Sequence, residues 1–181
     1  MKEADSRIEN RRLSAFPGGS ILHCMSTTFR FVALPYEPFA PLFTVEDGGL
    51  TAAGARRMVV EEKPGTPCRV SLQDAEVGET VILVPFAHHD VASPYRASGP
   101  IFVRSGARRA LPAPGEVPPL FRHRLLSVRA YDGAGMMVAA EVAPGAELEP
   151  VLHRMLAQGS VAYLHVHNAK PGCFACRVER A

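Results

Sequence analysis

Tyr163-Leu164-His165-Val166-His167-Asn168 and, five residues later, Cys173-Phe174-Ala175-Cys176-Arg177 form the densest run of chemically capable side chains in the sequence. A strand sends successive side chains to opposite faces. Tyr163, His165 and His167 would therefore share one face, and Leu164 and Val166 the other. Imidazoles about 7 Å apart along a strand face can hold a metal, shuttle a proton or clasp an anion. Lys170-Pro171-Gly172 supplies turn chemistry, and the turn returns thiols to the same neighbourhood. Register decides which thiol meets the imidazoles. With His167 opposite Cys173, Cys173 joins the histidine face; with Asn168 opposite Cys173, His165 falls opposite Cys176.

Zinc accepts His and Cys in a tetrahedron, but His-x-His with Cys-x-x-Cys on one hairpin is an unusual version, and alternation works against Cys173 and Cys176 converging. Hydrogen-bonded strand histidines and buried, small apolar cysteines are the preferred reading, and no metal is assigned. The catalytic candidates are His165, His167 and Cys173, with a histidine as acid/base.

Three further groups could bind a ligand. Cys68-Arg69 follows a Pro-Gly turn; a guanidinium beside a thiol stabilises a thiolate, although alternation sends the two side chains to opposite faces. His88-His89-Asp90 and Ser93-Pro94-Tyr95-Arg96-Ala97-Ser98-Gly99-Pro100 read as a loop, where Tyr95 and Arg96 could contact an anion. Arg129 and Tyr131 share a strand face, and an arginine on a central strand needs a carboxylate from the protein or from a ligand.

The elements that position these groups follow from periodicity. Phe29-Arg30-Phe31-Val32-Ala33-Leu34 reads as a strand, and Thr44-Val45-Glu46-Asp47 as the start of a short helix towards Gly54. Residues 57–61 and 68–72 read as strands around a Lys63-Pro64-Gly65 turn. Thr80-Val81-Ile82-Leu83-Val84 is continuously apolar and β-branched, which predicts a central strand; residues 101–104 predict another. Pro118-Pro119 can open a helix through Leu126. Residues 127–131 and 136–142 predict a hairpin around Asp132-Gly133-Ala134-Gly135. Leu148, Val151, Leu152, Met155 and Leu156 keep i, i+3, i+4 spacing and predict a helix at about 148–158. Strands over 161–167 and 173–178 close the chain. Strands following strands make the fold class α+β, a largely antiparallel sheet with a few short helices.

The 181 residues fit one domain, spanning 25–181. Residues 1–24 are charged and rich in breakers, and read as a disordered or loosely attached extension, with Met25 the expected natural start. A net charge of +2 is too balanced for a nucleic-acid-binding surface. No apolar run approaches the ~20 residues that span a bilayer, and no secretory signal is visible. Four cysteines over this length do not form a disulfide framework. A cytoplasmic location is expected. No GxGxxG, Walker, GxSxG or HExxH motif is present, so no cofactor is assigned.

Four ordered motifs carry a resemblance. These are residues 63–72 (Lys63-Pro64-Gly65-Thr66-Pro67-Cys68-Arg69-Val70-Ser71-Leu72), 95–103 (Tyr95 to Val103), 126–132 (Leu126 to Asp132) and 163–169 with Gly172-Cys173-Phe174. Together they resemble the bacterial family of unknown function numbered 1203, over about residues 25–181. The resemblance implies no activity, cofactor or catalytic residue. Its terminal motif centres on Gly172-Cys173, which favours Cys173 over Cys176. The expected function is binding of a small anionic metabolite, with or without chemistry, in a pocket lined by Arg69, Arg129, Tyr131, His165, His167 and Cys173. The alternatives are a non-enzymatic homodimer, in contact through the terminal hairpin and residues 112–119, and a structural metalloprotein.

Overall fold

The computed structural model describes residues 28–181; the expected extension 1–24 and the expected start at Met25 lie outside the described residues. The chain runs β1 (Phe29–Val32), α1 (Asp47–Ala52), β2 (Arg56–Val59), β3 (Pro67–Cys68), β4 (Gln73–Asp74), β5 (Thr80–His89), β6 (Ala97–Arg104), α2 (Pro119–Arg122), β7 (Leu125–Tyr131), β8 (Met137–Pro144), α3 (Leu148–Leu156), β9 (Tyr163–Asn168) and β10 (Phe174–Arg180). These strands form two five-stranded sheets, β1-β10-β9-β7-β8 and β2-β5-β6-β3-β4. Every pairing is antiparallel except β3 with β6. The fold is α+β, and β9 and β10 are interior strands of the first sheet. A terminal hairpin flanked by β7 and β1 leaves no free edge of its own for strand pairing.

Alternation builds the first sheet's core. Leu164 and Val166 of β9, Val128 and Ala130 of β7 and Val178 of β10 face one side, where Leu148, Val151, Leu152, Met155 and Leu156 of α3 cover them. Burying each of these helix side chains contributes about 1.5–3 kcal/mol. Phe29 and Phe31 extend the same core from β1, with Phe31 stacked on Phe121 of α2. Gly145, just after β8, sits where a Cβ would meet the Phe121 carbonyl oxygen at 1.8 Å, so only glycine permits α2 to pack there.

The second sheet has its own core, in which Ile82, Val84, Ile101, Val103 and Cys68 pack with Leu50 and Phe39. Phe174 of β10 joins this second cluster, so a first-sheet side chain is seated in the second sheet's core.

Several expected elements differ. The helix expected through Leu126 ends at Arg122, and Leu125 and Leu126 already belong to β7. Residues 68–72 do not continue as a strand: the Leu72 N–H donates back to the Cys68 carbonyl, and Leu72 lies in the left-handed region with φ 49°. The expected loop at His88-His89 is instead the end of the ten-residue β5. Pro85 obscured that continuation in the sequence. It stands opposite Pro100 of β6, a pair in which neither residue supplies an N–H.

Candidate functional site

The turn between β9 and β10 begins the site. Gly172 has φ +74°, a conformation that favours glycine, and its N–H donates to the Asn168 carbonyl at 2.8 Å. The Asn168 N–H in turn donates to the Cys173 carbonyl at 3.0 Å. Phe174 then pairs with His167, Cys176 with Val166 and Arg177 with His165, with a bulge between Phe174 and Cys176. The extra residue resets the register. Phe174 and Arg177 take the histidine side, Cys176 takes the core side with Val166, and Cys173 lies outside the ladder.

The expected pocket residues consequently divide into two groups. Arg69 and Cys173 meet at a cavity. His165, His167 and Tyr131, with Arg129 hydrogen-bonded to Tyr131, belong to a cluster between the sheets in ring contact with His88, His89 and Phe174.

In the first group, Arg69 is 1% exposed. Its Nε donates to the Phe174 carbonyl at 2.8 Å, one Nη to the Pro67 carbonyl, and the other to Cys173 Sγ at 3.0 Å. No carboxylate pairs with it among the described residues. Burial pulls the guanidinium below its ordinary pKa, while Cys173 acts in the opposite sense through charge and hydrogen bonding. A buried cation without a carboxylate is stabilised by whatever negative charge its neighbour can carry, and here that neighbour is a sulfur. Asn168 Nδ2 also donates to Cys173 Sγ, at 3.4 Å. The thiol is half-buried and lines a cavity of about 520 Å³ with Arg69, Arg124, His123, Lys170 and Asn168; no acidic side chain lines it. Arg124 is held in place by Asp74 from outside the lining.

The other described cysteines are different. Cys176 is buried with its Sγ 3.3 Å from the Val32 carbonyl, and burial pushes its thiol up to about 12. Cys68 is fully buried, and its Sγ accepts the N–H groups of Ser71 and Arg104. Arg69 therefore pairs with a thiol far along the chain instead of with its sequence neighbour Cys68.

In the second group, Tyr163, His165 and His167 share one face of β9, and Tyr131 stacks on Tyr163 at 5.5 Å between centroids. The end of β5 closes this face. His88 lies 5.2 Å from His167 and 6.1 Å from His165, and His89 lies 5.1 Å from His165. His89 Nδ1 donates to the Tyr95 carbonyl at 2.7 Å, and its Nε2 is hydrogen-bonded with the Tyr163 hydroxyl at 2.8 Å. His167 Nδ1 donates to the Gly172 carbonyl at 3.0 Å; its Nε2 has no partner, and neither has Nδ1 of His88 or of His165. Burial holds these rings neutral, lowering His165 to about 2, His167 to about 4 and His88 in the same direction. Burial also raises Tyr131 and Tyr163. Arg129, half-buried, hydrogen-bonds Tyr131 and adds positive charge beside His88 and His167. The Arg177 guanidinium lies 3.8 Å over the Tyr163 ring. Among the described residues no set of three or more His, Cys, Asp or Glu side chains is placed to hold a metal ion.

Tyr95 and Arg96 belong to neither cavity nor ring cluster in the same way. Tyr95 is 39% exposed and reaches the cluster through its backbone and the edge of its ring. Arg96 forms an exposed ion pair with Asp90. His123, Arg124, Asn168 and Lys170 were not singled out in the sequence as site residues. Asn168 ends the histidine motif and Lys170 sits in the turn, but nothing local marks His123 or Arg124.

Residues 65–180 match the family described as Protein of unknown function (DUF1203), and the chain belongs to it. The matched span contains Arg69, both histidine strands and Cys173. No curated protein and no solved structure matches the chain. No helix among the described residues is long and apolar enough to cross a membrane.

Proposed function

We propose that this protein binds a small anionic molecule in the cavity where Cys173 meets Arg69. The observation that carries this reading is the lining itself. Two arginines, a lysine and a histidine face about 520 Å³ of space with no acidic side chain among them, and one of those arginines is buried without a carboxylate. Such a lining concentrates anions, and a guanidinium fork suits carboxylate or phosphate. The test is calorimetric titration of the full chain with inorganic phosphate and with succinate. Binding of at least one, lost in Lys170→Glu, is the expected result. Absence of heat with both in the unmodified protein overturns the reading.

A second reading, a homodimer, is favoured by a different observation. β8 is an edge strand with Val138 42% and Val142 59% exposed. Long apolar edges attract another strand. An antiparallel copy centred on Ala140 would set Val138 against the second copy's Val142 and keep Glu141 away from itself. Light scattering across a concentration series tests this: a dimer dissociated by Val142→Lys is expected, and a monomer at every concentration removes it.

A further inference from the structure

We infer that Cys173 is a nucleophile that accepts an acyl group from a small acyl phosphate, a role that rests on the anion-binding reading of the same cavity. Three features lead to this. The sulfur is at the cavity wall, half-buried rather than sealed. Its two side-chain partners, Arg69 and Asn168, are both N–H donors, one of them a cation. The lining beyond them is cationic, with Lys170 and Arg124 and no acidic side chain.

The same donors define what it can attack. An oxygen that gains negative charge on a carbon bonded to Sγ would develop beside Asn168 Nδ2 and the Arg69 fork, the placement that stabilises an acyl-transfer intermediate. The cavity's cations, Arg124 and Lys170, suit a leaving group that departs as an anion. Phosphate is such a group, and its departure requires no general acid. In the step, Sγ forms a bond to the carbonyl carbon and the bond from that carbon to the phosphate oxygen breaks. The electron pair leaves with phosphate, and Cys173 is left as a thioester. Water then adds to the thioester carbon, the carbon–sulfur bond breaks, the thiolate is restored and the proton passes to solvent. The balance is acyl phosphate plus water to carboxylic acid plus phosphate, with no oxidant or reductant.

The step uses no histidine of the inter-sheet cluster, and His167 Nδ1 is already turned to the Gly172 carbonyl.

The experiment incubates the full chain with acetyl phosphate, and separately with the neutral ester p-nitrophenyl acetate, and follows intact mass and peptide mapping. One acetyl group on Cys173, formed faster from acetyl phosphate and slowed by added inorganic phosphate, is expected. Cys173→Ser abolishes it. Arg69→Gln slows it by about tenfold or more at neutral pH, the loss expected when a donor beside the developing oxyanion is removed. Should Arg69→Gln fail to fold, the wild-type protein decides through its preference between charged iodoacetate and neutral iodoacetamide, iodoacetate being favoured at Cys173 relative to free cysteine. Phosphate binding without acetylation of Cys173 overturns this inference and leaves the anion reading standing. Absence of both overturns both. Acetylation that falls equally on Cys68 or Cys176 also overturns it.

Discussion

The inter-sheet cluster and the Cys173 cavity hold the same kinds of side chain, yet they are built on opposite principles. Between the sheets, four histidines and two tyrosines are packed ring against ring beside Arg129, and burial keeps the imidazoles of His88, His165 and His167 neutral. At the cavity, a single guanidinium stays buried beside a sulfur that a solute can reach. The first arrangement spends its polar atoms on neighbours or leaves them bare against other rings. The second leaves a charge facing open space. Polarity alone therefore does not identify a site; access does. The histidine motif drew attention in the sequence; its rings pack at the seam between the sheets, and the thiol beside it borders the cavity.

The largest expected effect tests the face that both regions depend on. Val166→Asp places an unpaired carboxylate in the core under α3 and should unfold the protein, a loss of about 4 kcal/mol or more. Circular dichroism and denaturant titration read it. A folded Val166→Asp protein would mean that β9 is not seated as described.

The second separates the regions by pH. Both His165 and His167 have folded pKa values depressed below the ordinary 6.5. The unfolded chain therefore binds protons first as pH falls, so stability is fully present above about 6.5 and declines below it. The decline continues down to about 4 for His167 and about 2 for His165. At about pH 5 each contributes a loss of about 2 kcal/mol. Urea denaturation at neutral and acidic pH measures it, and His167→Gln should flatten the slope. A stability that is level between these pH values would show that the rings are not buried neutral.

Third, His167→Ala removes the donor to the Gly172 carbonyl and opens a void, at a cost of about 1–3 kcal/mol. Phosphate affinity should change little. Weakened binding with unchanged stability would return this histidine to the ligand site. The smallest effect on folding is expected of Lys170→Ala, within about 0.5 kcal/mol. It should nevertheless weaken phosphate binding several-fold, because the residue lines the cavity and little else holds it.

Much of the architecture was legible because it is local. Alternation placed Leu164 and Val166 in the core with Tyr163, His165 and His167 opposite, and the i, i+3, i+4 stripe located α3 at Leu148–Leu156. What escaped the sequence is tertiary. The pairing of Phe174 with His167 carries Cys173 off the imidazole face, and the bulge after Phe174, which has no signal of its own, sends Cys176 into the core. Arg69 was placed beside Cys68 by adjacency, but the chain turns after Cys68, and the guanidinium finds a sulfur 104 residues on. His88 and His89 looked like loop residues because β5 passes through Pro85, and a proline pair across two strands is not a pattern that one strand reveals.

Arg69 has one consequence beyond recognition. It sits just after β3, at the second sheet, and it grips the Phe174 carbonyl and the Cys173 sulfur, both at the first. The group that would greet an anion is also a rivet between two layers. A ligand that seats on the native cavity raises stability by mass action. A cap on the sulfur withdraws one of three acceptors from a buried guanidinium, and loosens the joint. Heat resistance thus becomes a gauge of what occupies one atom, readable before any natural ligand has been identified.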